Sequence, residues 1–317
     1  MIGQLGLFGE ASVADLARTH AEARALAASL PANLYFGTSS WAFPGWQGIV
    51  YSRQESPAAL SRDGLREYAT HPLLRTVEID RSYYAPVPVE DFQRYAAQLP
   101  EGLPCCIKAP GSVTSAVLPG RTPTPQANPN FLSAKLLEEE LLSPLDATFV
   151  EHCGPIMLQF PPQPYSFRLS PRVFADRLSE FLSRLPRKFR FAVELRDPDL
   201  MSPEYCEVLR RHGVAHAYNF WSNMPMPAEQ EKTVPLSHAG FTVLRLMLPP
   251  GTSYDGQREN FRPFDRLHEP HVAMRRQVTE IARRSTREGR DTFVIVNNKA
   301  EGSSPLTIRA LAEMMVP

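Results

Sequence analysis

The sequence predicts one α/β domain, an eight-stranded parallel barrel wrapped by helices. Three observations predict it. Eight short apolar runs recur along the chain: LYFGTSS, RTVEID, PCCIKAP, PIMLQFPP, FRFAVELR, VAHAYN, FTVLRLM and TFVIVNN. Most of the gaps between them read as helices, so strand and helix alternate. The length, 317 residues, suits a (β/α)8 barrel of the TIM type, typically ~250 residues, with extensions. A tail and helix over 1–33 precede a barrel over 34–317.

The elements follow in order. Residues 1–11 read as a tail. Ser12 can cap a helix running to about Leu30. The first strand is Leu34 to Thr38. Pro57 opens a helix that ends before Pro72. The second strand is Arg75 to Asp80, followed by a helix over about Val89 to Leu99, and the third is Pro104 to Lys108. A stretch of about twenty residues rich in Pro, Gly, Ser and Thr comes next, and loops of that length inside a domain are usually functional or disordered. Helix follows from Phe131 to Leu142, with a further turn near Ala147 to Glu151. The fourth strand, Pro155 to Phe160, stops at PPQP, and a helix runs from Pro171 to Leu185. The remaining strands are Phe189 to Leu195, Val214 to Asn219, Phe241 to Leu246 and Thr292 to Asn297. The connection between the sixth and seventh strands is short and Pro-rich, so its helix is reduced. A second long loop follows the seventh strand, then a helix over Glu269 to Glu288 and a last helix near the C-terminus.

Bulk properties exclude several classes. Formal net charge is zero, which argues against coating nucleic acid or membrane by bulk charge. No run approaches the ~18 apolar residues of a membrane span. The N-terminus lacks the order of a signal peptide, so a soluble cytoplasmic protein is expected. Cys105 and Cys106 are adjacent in a strand and face opposite ways; Cys153 and Cys206 are isolated. No CxxC-type spacing appears, and buried free thiols are expected.

A barrel of this kind places its chemistry at the C-terminal strand ends. Polar side chains there are costly unless paired or used. Those ends carry Thr38 and Ser39, Glu78 and Asp80, Lys108, Gln159, Glu194 and Arg196, Asn219, Arg245, and Asn297 with Asn298. The two-residue period puts Glu78 with Asp80, and Glu194 with Arg196, on shared faces. Lys108 neighbours Glu78, so an ion pair between them is geometrically easy, and such a pair could tune either group as acid or base. Glu78 and Glu194 lie three strands apart and would face each other across the mouth, as acid and base or nucleophile and acid. Glu78, Lys108, Glu194 and Arg196 are the catalytic candidates. Trp41, Tyr83 and Tyr84 would line a substrate pocket, with Gln159, Asn219, Arg245 and Asn298 as further binding candidates. The competing reading is a salt-bridged network that only satisfies the polar end of the core. His152 and Cys153 precede the fourth strand, and His216 lies inside a strand; none of these is expected to be catalytic. None of the eight His ends a strand, so a metal site has little support. A lone Mg²⁺ on Glu78 or Asp80 and a Schiff base at Lys108 stay open. No cofactor can be named.

Six segments in register carry a resemblance: GTSSWAFPGW, VEIDRSYY, CIKAP, LQFPP, VELR and VNN. Together, over about 34–316, they resemble the YecE-like family, domain of unknown function 72. The resemblance implies a TIM-type barrel without an established activity, whose likeness to metal-dependent barrel nucleases has prompted DNA-repair readings. It points to Trp41, Trp46, Glu78, Tyr84, Lys108, Gln159, Glu194, Arg196, Arg245 and Asn298. Three motifs depart from the family. Thr114 is followed by Ser115 where the family has Thr-His, DPDL lacks the aromatic expected after Glu-x-Arg, and Arg245-Leu246 is followed by Met247-Leu248 instead of His-Gly. A mechanism that needs those two histidines is therefore in doubt for this chain.

Gln4, Leu5, Leu7 and Phe8 resemble the bacterial sliding-clamp pentapeptide Gln-Leu-x-Leu-Phe. Leu7 and Phe8 would be apolar anchors and Gln4 an amide donor. A chance match is on the order of one in a hundred for such a chain. The alternative is a tail packed on the barrel bottom. A clamp partner would put the barrel near DNA and give interest to Arg275, Arg276, Arg283, Arg284, Arg287 and Arg290, by default a solvated helix face. Three functions thus stand open. The first is a hydrolase or lyase working through strand-end Glu, Lys and Arg, on nucleic acid or another substrate. The others are a clamp-tethered DNA-associated adaptor without catalysis and a carbohydrate-active barrel using paired carboxylates.

Overall fold

The computed structural model describes residues 6–118, 124–236 and 239–316, with the backbone alone for 6–15 and Tyr254. Eight parallel strands close on themselves in sequence order: β1 (Leu34–Thr38), β2 (Thr76–Ile79), β3 (Cys105–Lys108), β4 (Cys153–Phe160), β5 (Phe191–Leu195), β6 (Ala215–Phe220), β7 (Phe241–Leu246) and β8 (Asp291–Val296). Each agrees with its expected run to within two residues at either end. Closure runs through β1 and β8, where Leu34 pairs with Thr292 and Thr38 with Val296. The strands buried on both faces are the apolar runs that first marked them.

The helices are α1 (Gly6–Ala28), α2 (Pro57–Asp63), α3 (Leu65–Tyr68), α4 (Arg81–Tyr84), α5 (Val89–Ala96), α6 (Gly111–Thr114), α7 (Ala134–Leu137), α8 (Ser143–Thr148), α9 (Pro171–Ser183), α10 (Pro203–His212), α11 (Pro227–Thr233), α12 (Tyr254–Asn260), α13 (Val272–Arg287) and α14 (Ser304–Met315). Serines cap several starts: Ser56 accepts from Ala59 N, Ser170 from Val173 N and Ser202 from Tyr205 N, each with proline at the first turn. Helix α10, between β5 and β6, is one the apolar pattern did not single out. Its Ser-Pro start and the left-handed Gly213 at its end (φ 65°) were the available signals.

Helix α1 starts earlier than expected. Ser12 lies inside it, so it is not a cap, and the backbone of Leu7 and Phe8 is helical. Gln4 and Leu5 lie outside the described residues. The C-terminal half of α1 docks on the barrel through buried Ala23 and through Glu22, which meets Arg309 of α14 at 2.8 Å.

Two cores result. Between strands and helices lies a large apolar layer that includes Trp46, Phe92, Phe160 and Phe174. Inside the barrel is a smaller plug of Cys106, Met157, Ala192, Ala217, Val243, Phe293 and Ile295. Cys105 packs in the outer core and Cys106 in the inner one, as adjacent strand residues must. Small side chains at Ala192, Ala215 and Ala217 leave the interior room for long ones stacked above.

The two long loops are ordered by their own bonds where described. In the first, Asn128 Nδ2 donates to Ser112 O and Ser115 O at 2.6 and 2.7 Å. In the second, Glu301 after β8 accepts from Arg275 Nη2 at 2.7 Å and from the His268 backbone, clasping the end of the β7 loop to the next one.

Candidate functional site

Above the apolar plug sits a layer of inward polar residues. Glu78, Lys108, Gln159, Glu194, Asn219 and Arg245 continue the inward alternation of Cys106, Met157, Ala192, Ala217 and Val243. The register puts Gln159 level with Glu194, and Asn219 level with Arg245. Exposure is 0% for Glu78, Glu194 and Arg245, and 5% for Lys108, so these charges must be mutually satisfied.

Arg245 satisfies most of them. Its Nη2 meets Glu78 Oε2 at 2.6 Å, its Nη1 binds Glu194 Oε2, and Nη1 also reaches Gln159 Oε1 at 3.3 Å. Arg196 extends the chain outward. Its Nε donates to Glu194 Oε1 at 3.1 Å and its Nη2 to Gln159 Oε1 at 2.8 Å, while its guanidinium lies 3.6 Å from the Trp221 ring centroid. Burial alone would raise the Glu194 pKa, but Arg245, Arg196 and Lys108 outweigh it and hold the carboxyl at about 2.

The Glu78–Lys108 ion pair that neighbouring strands made geometrically easy does not form. Arg245 takes the Glu78 carboxylate: its planar guanidinium spans Glu78 through Nη2 and Glu194 with Gln159 through Nη1. Among the described residues no carboxylate lies within ion-pair distance of the Lys108 ammonium, which rests over the Tyr83 ring, 4.3 Å from its centroid. Burial and then Arg245 push the Lys108 pKa down to about 8, against the pull of Glu78. Asp80 shifts the other way. Burial and then Glu78 lift it to about 6, with Lys108 and Arg245 opposing. The mouth therefore holds a locked Glu–Arg–Glu core and, beside it, two groups that change charge near neutrality.

Other candidates take different places. Trp41 is buried; its indole donates to Leu60 O at 2.9 Å and meets Tyr95 edge-on. Asn219 faces inward, but its Nδ2 donates to Leu195 O at 2.7 Å and Gln230 Oε1 accepts from its backbone, so it ties β5, β6 and α11 together. Of the two adjacent asparagines, Asn298 turns to α14, where its Oδ1 accepts from the Ser304 amide and hydroxyl at 2.8 Å. It is Asn297 that reaches Ser39 at the end of β1, at 2.7 Å. Tyr84 is 74% exposed and meets Tyr83 edge-on at 5.2 Å. His216 is bonded to Tyr205 and Gln230 inside the core, as expected of a structural histidine. Among the described residues no group of three metal-binding side chains is assembled.

Sequence reasoning missed Trp221 and Gln230. Trp221 stands two residues beyond Asn219 and so continues its face, a signal that was available. Gln230 lies on α11, and its three-way bonding to Asn219, His216 and Pro225 O has no local signature.

Fold and mouth together define a closed (β/α)8 barrel with a buried, charge-compensated polar layer at the C-terminal ends of its strands. The chain belongs to the family described as "Protein of unknown function DUF72", whose sequence profile matches residues 35–317. Two solved structures similar to it are DUF72 family proteins. One, from Thermotoga maritima MSB8, is 21% identical, with 89% of this chain and 98% of that chain covered and a TM-score of 0.64. The other, from Enterococcus faecalis V583, is 16% identical, with 88% and 95% covered and a TM-score of 0.61. These likenesses show the fold. No curated protein matches the chain. Among the described residues no helix is long and apolar enough to cross a membrane.

Proposed function

We propose that the barrel mouth is a carbonyl-processing active site of lyase type, with Lys108 as the reacting amine and Asp80 as the proton carrier. One observation carries the reading. Lys108 is a buried lysine that, among the described residues, has no carboxylate at ion-pair distance and stands beside two carboxylates already committed to Arg245. A buried amine near pKa 8 is neutral in a useful fraction at physiological pH, which is the requirement for nucleophilic attack.

The chemistry follows from those states. The neutral Nζ attacks the carbonyl carbon of a substrate aldehyde or ketone. A proton from Asp80, about half protonated near pH 6, helps the carbonyl oxygen leave as water, and an iminium remains on Lys108. The iminium takes up the electron pair of a bond on the neighbouring carbon, whose other partner leaves as a proton or as a carbonyl fragment, and an enamine remains. Protonation of that carbon regenerates the iminium, and water then releases the carbonyl product and the free amine. Arg245, Glu194 and Arg196 keep the floor of the site rigid. The paired-carboxylate reading is less well supported, because Glu78 and Glu194 are held as ion-pair partners and Glu194 stays ionised down to about pH 2.

The test is reductive trapping. The protein is incubated with simple aldehydes and cyanoborohydride, and peptides are mapped by mass spectrometry. An adduct on Lys108 that far exceeds those on surface lysines, and that is lost in Lys108→Arg, is the expected result. Labelling no greater than at surface lysines would refute the assignment.

A further inference from the structure

Three partners hold Arg196 in one orientation. Its Nε donates to Glu194 Oε1 at 3.1 Å, its Nη2 donates to Gln159 Oε1 at 2.8 Å, and its Cζ lies 3.6 Å from the Trp221 ring centroid. These contacts leave Nη1 without a hydrogen bond among the described residues. The side chain is 10% exposed, and Nη1 is not sealed from solvent. A planar guanidinium fixed in this way presents its remaining N–H groups in a set direction, with little freedom left to lose on binding. Lys108 Nζ likewise makes no hydrogen bond among the described residues and is not sealed from solvent.

One tyrosine joins the two groups. Lys108 Nζ lies 4.3 Å from the Tyr83 ring centroid. Gln159, which binds Arg196, also meets the Tyr83 hydroxyl, and the Arg196 charge opposes the rise that burial gives the Tyr83 pKa. The same charge reaches Lys108, adding to the depression that burial and Arg245 cause there. An amine and an open guanidinium edge thus stand around a single ring.

We infer that the mouth takes a small 2-oxo acid, with its carboxylate on Arg196 Nη1 and its carbonyl carbon at Lys108 Nζ. This deepens the reading of Lys108 as the reacting amine and rests on it. A carbonyl next to a carboxylate suits an amine and a guanidinium set so close together. Charge favours the anion. Glu78, Asp80 and Glu194 stand among Lys108, Arg196 and Arg245. Asp80 is about half protonated near pH 6, and whenever it holds the proton while Lys108 is charged, one cation is in excess. A substrate carboxylate balances that cation and, as a nearby anion, favours the protonated form of Asp80. Residues 119–123, outside the described ones, are Pro-Gly-Arg-Thr-Pro and bring no Asp or Glu that could take the place of that carboxylate.

The experiment compares glyoxylate, glycolaldehyde and succinic semialdehyde in reductive trapping at Lys108, each normalised to Nα-acetyl-lysine. Glyoxylate should exceed glycolaldehyde, a neutral aldehyde of the same size, by about tenfold, the worth of one hydrogen bond to a charged group. It should also exceed succinic semialdehyde, whose carboxylate lies farther from the carbonyl. Arg196→Gln, which removes the guanidinium, and Trp221→Leu, which frees it, should each bring the glyoxylate-to-glycolaldehyde ratio toward one. The ratio is the readout because a changed Lys108 pKa acts on both aldehydes alike. Glyoxylate no better than glycolaldehyde, a preference for succinic semialdehyde, or a ratio unmoved by both variants would overturn the inference while leaving Lys108 as the amine. If no aldehyde labels Lys108, titration with glycolate decides separately, read by Trp221 fluorescence with Trp221→Phe as the blank. A saturable change lost in Arg196→Gln would uphold the carboxylate site without the Lys108 chemistry, and absence of a saturable change would overturn it.

Discussion

Arg245 on β7 holds Glu78 on β2 at 2.6 Å inside a closed barrel, with the seam between β8 and β1 separating their strands. The pair is fully buried, and Arg245 also holds Glu194. Removing the cation alone would strand two carboxylates. Arg245→Met is expected to cost about 3–5 kcal/mol, measured by urea unfolding, whereas Glu78→Gln combined with Arg245→Met should recover part of the loss. A loss below about 1 kcal/mol for the single variant would show that the carboxylates do not depend on the guanidinium.

Lys108 ties stability to pH in an unusual direction. Its folded pKa, about 8, lies below the ordinary 10.5. Between those values the unfolded chain binds more protons, so stability should rise with pH there. Below pH 8 the full penalty of a charged, buried lysine is present. Lys108→Met is therefore expected to stabilise the protein at pH 7 by about 2–3 kcal/mol, with the gain shrinking toward pH 10. Thermal melts of both proteins from pH 6 to 10 check the sign, and a gain that grows with pH would contradict it.

Trapping at Lys108 should follow the same titration. Adduct formation should climb through about pH 8 and level off above it, because the neutral amine is the nucleophile. A profile still rising steeply at pH 10 would mark an ordinary, solvated lysine.

Gly37 fixes the approach of β1 to β2. A Cβ there would stand 2.1 Å from the Thr76 carbonyl oxygen, so the strands could not keep their pairing. Gly37→Ala is expected to cost at least about 3 kcal/mol or to abolish soluble expression. Wild-type melting of the variant would mean that the two strands can part without penalty.

The terminal pentapeptide carries a separate expectation. Leu7→Ala with Phe8→Ala should abolish capture of the protein on immobilised bacterial sliding clamp. Capture equal to that of the parent would remove the clamp as a partner of Gln4, Leu5, Leu7 and Phe8.

Much of the fold was legible because burial on both faces forces each strand to be an apolar run, whatever its partners. The polar strand ends were legible for the same reason, since a charge in such a run stands out. What each charge does was not. Glu78 looked equally able to pair with Lys108 or to face Glu194, because spacing along one strand says nothing about which cation reaches it from another. Asn297 and Asn298 are chemically alike, and only the packing of α14 decides that one caps a helix while the other reaches β1.

The sequence by itself determined the barrel, its strand order and the polar residues that end its strands, since alternation and burial are local properties of the chain. Only the tertiary structure decided that Arg245 commits both glutamates and that Lys108 rests on the Tyr83 ring with no ion-pair partner among the described residues. That outcome depends on distances between strands remote in sequence, and on a contest between one guanidinium and one ammonium for the same buried carboxylates.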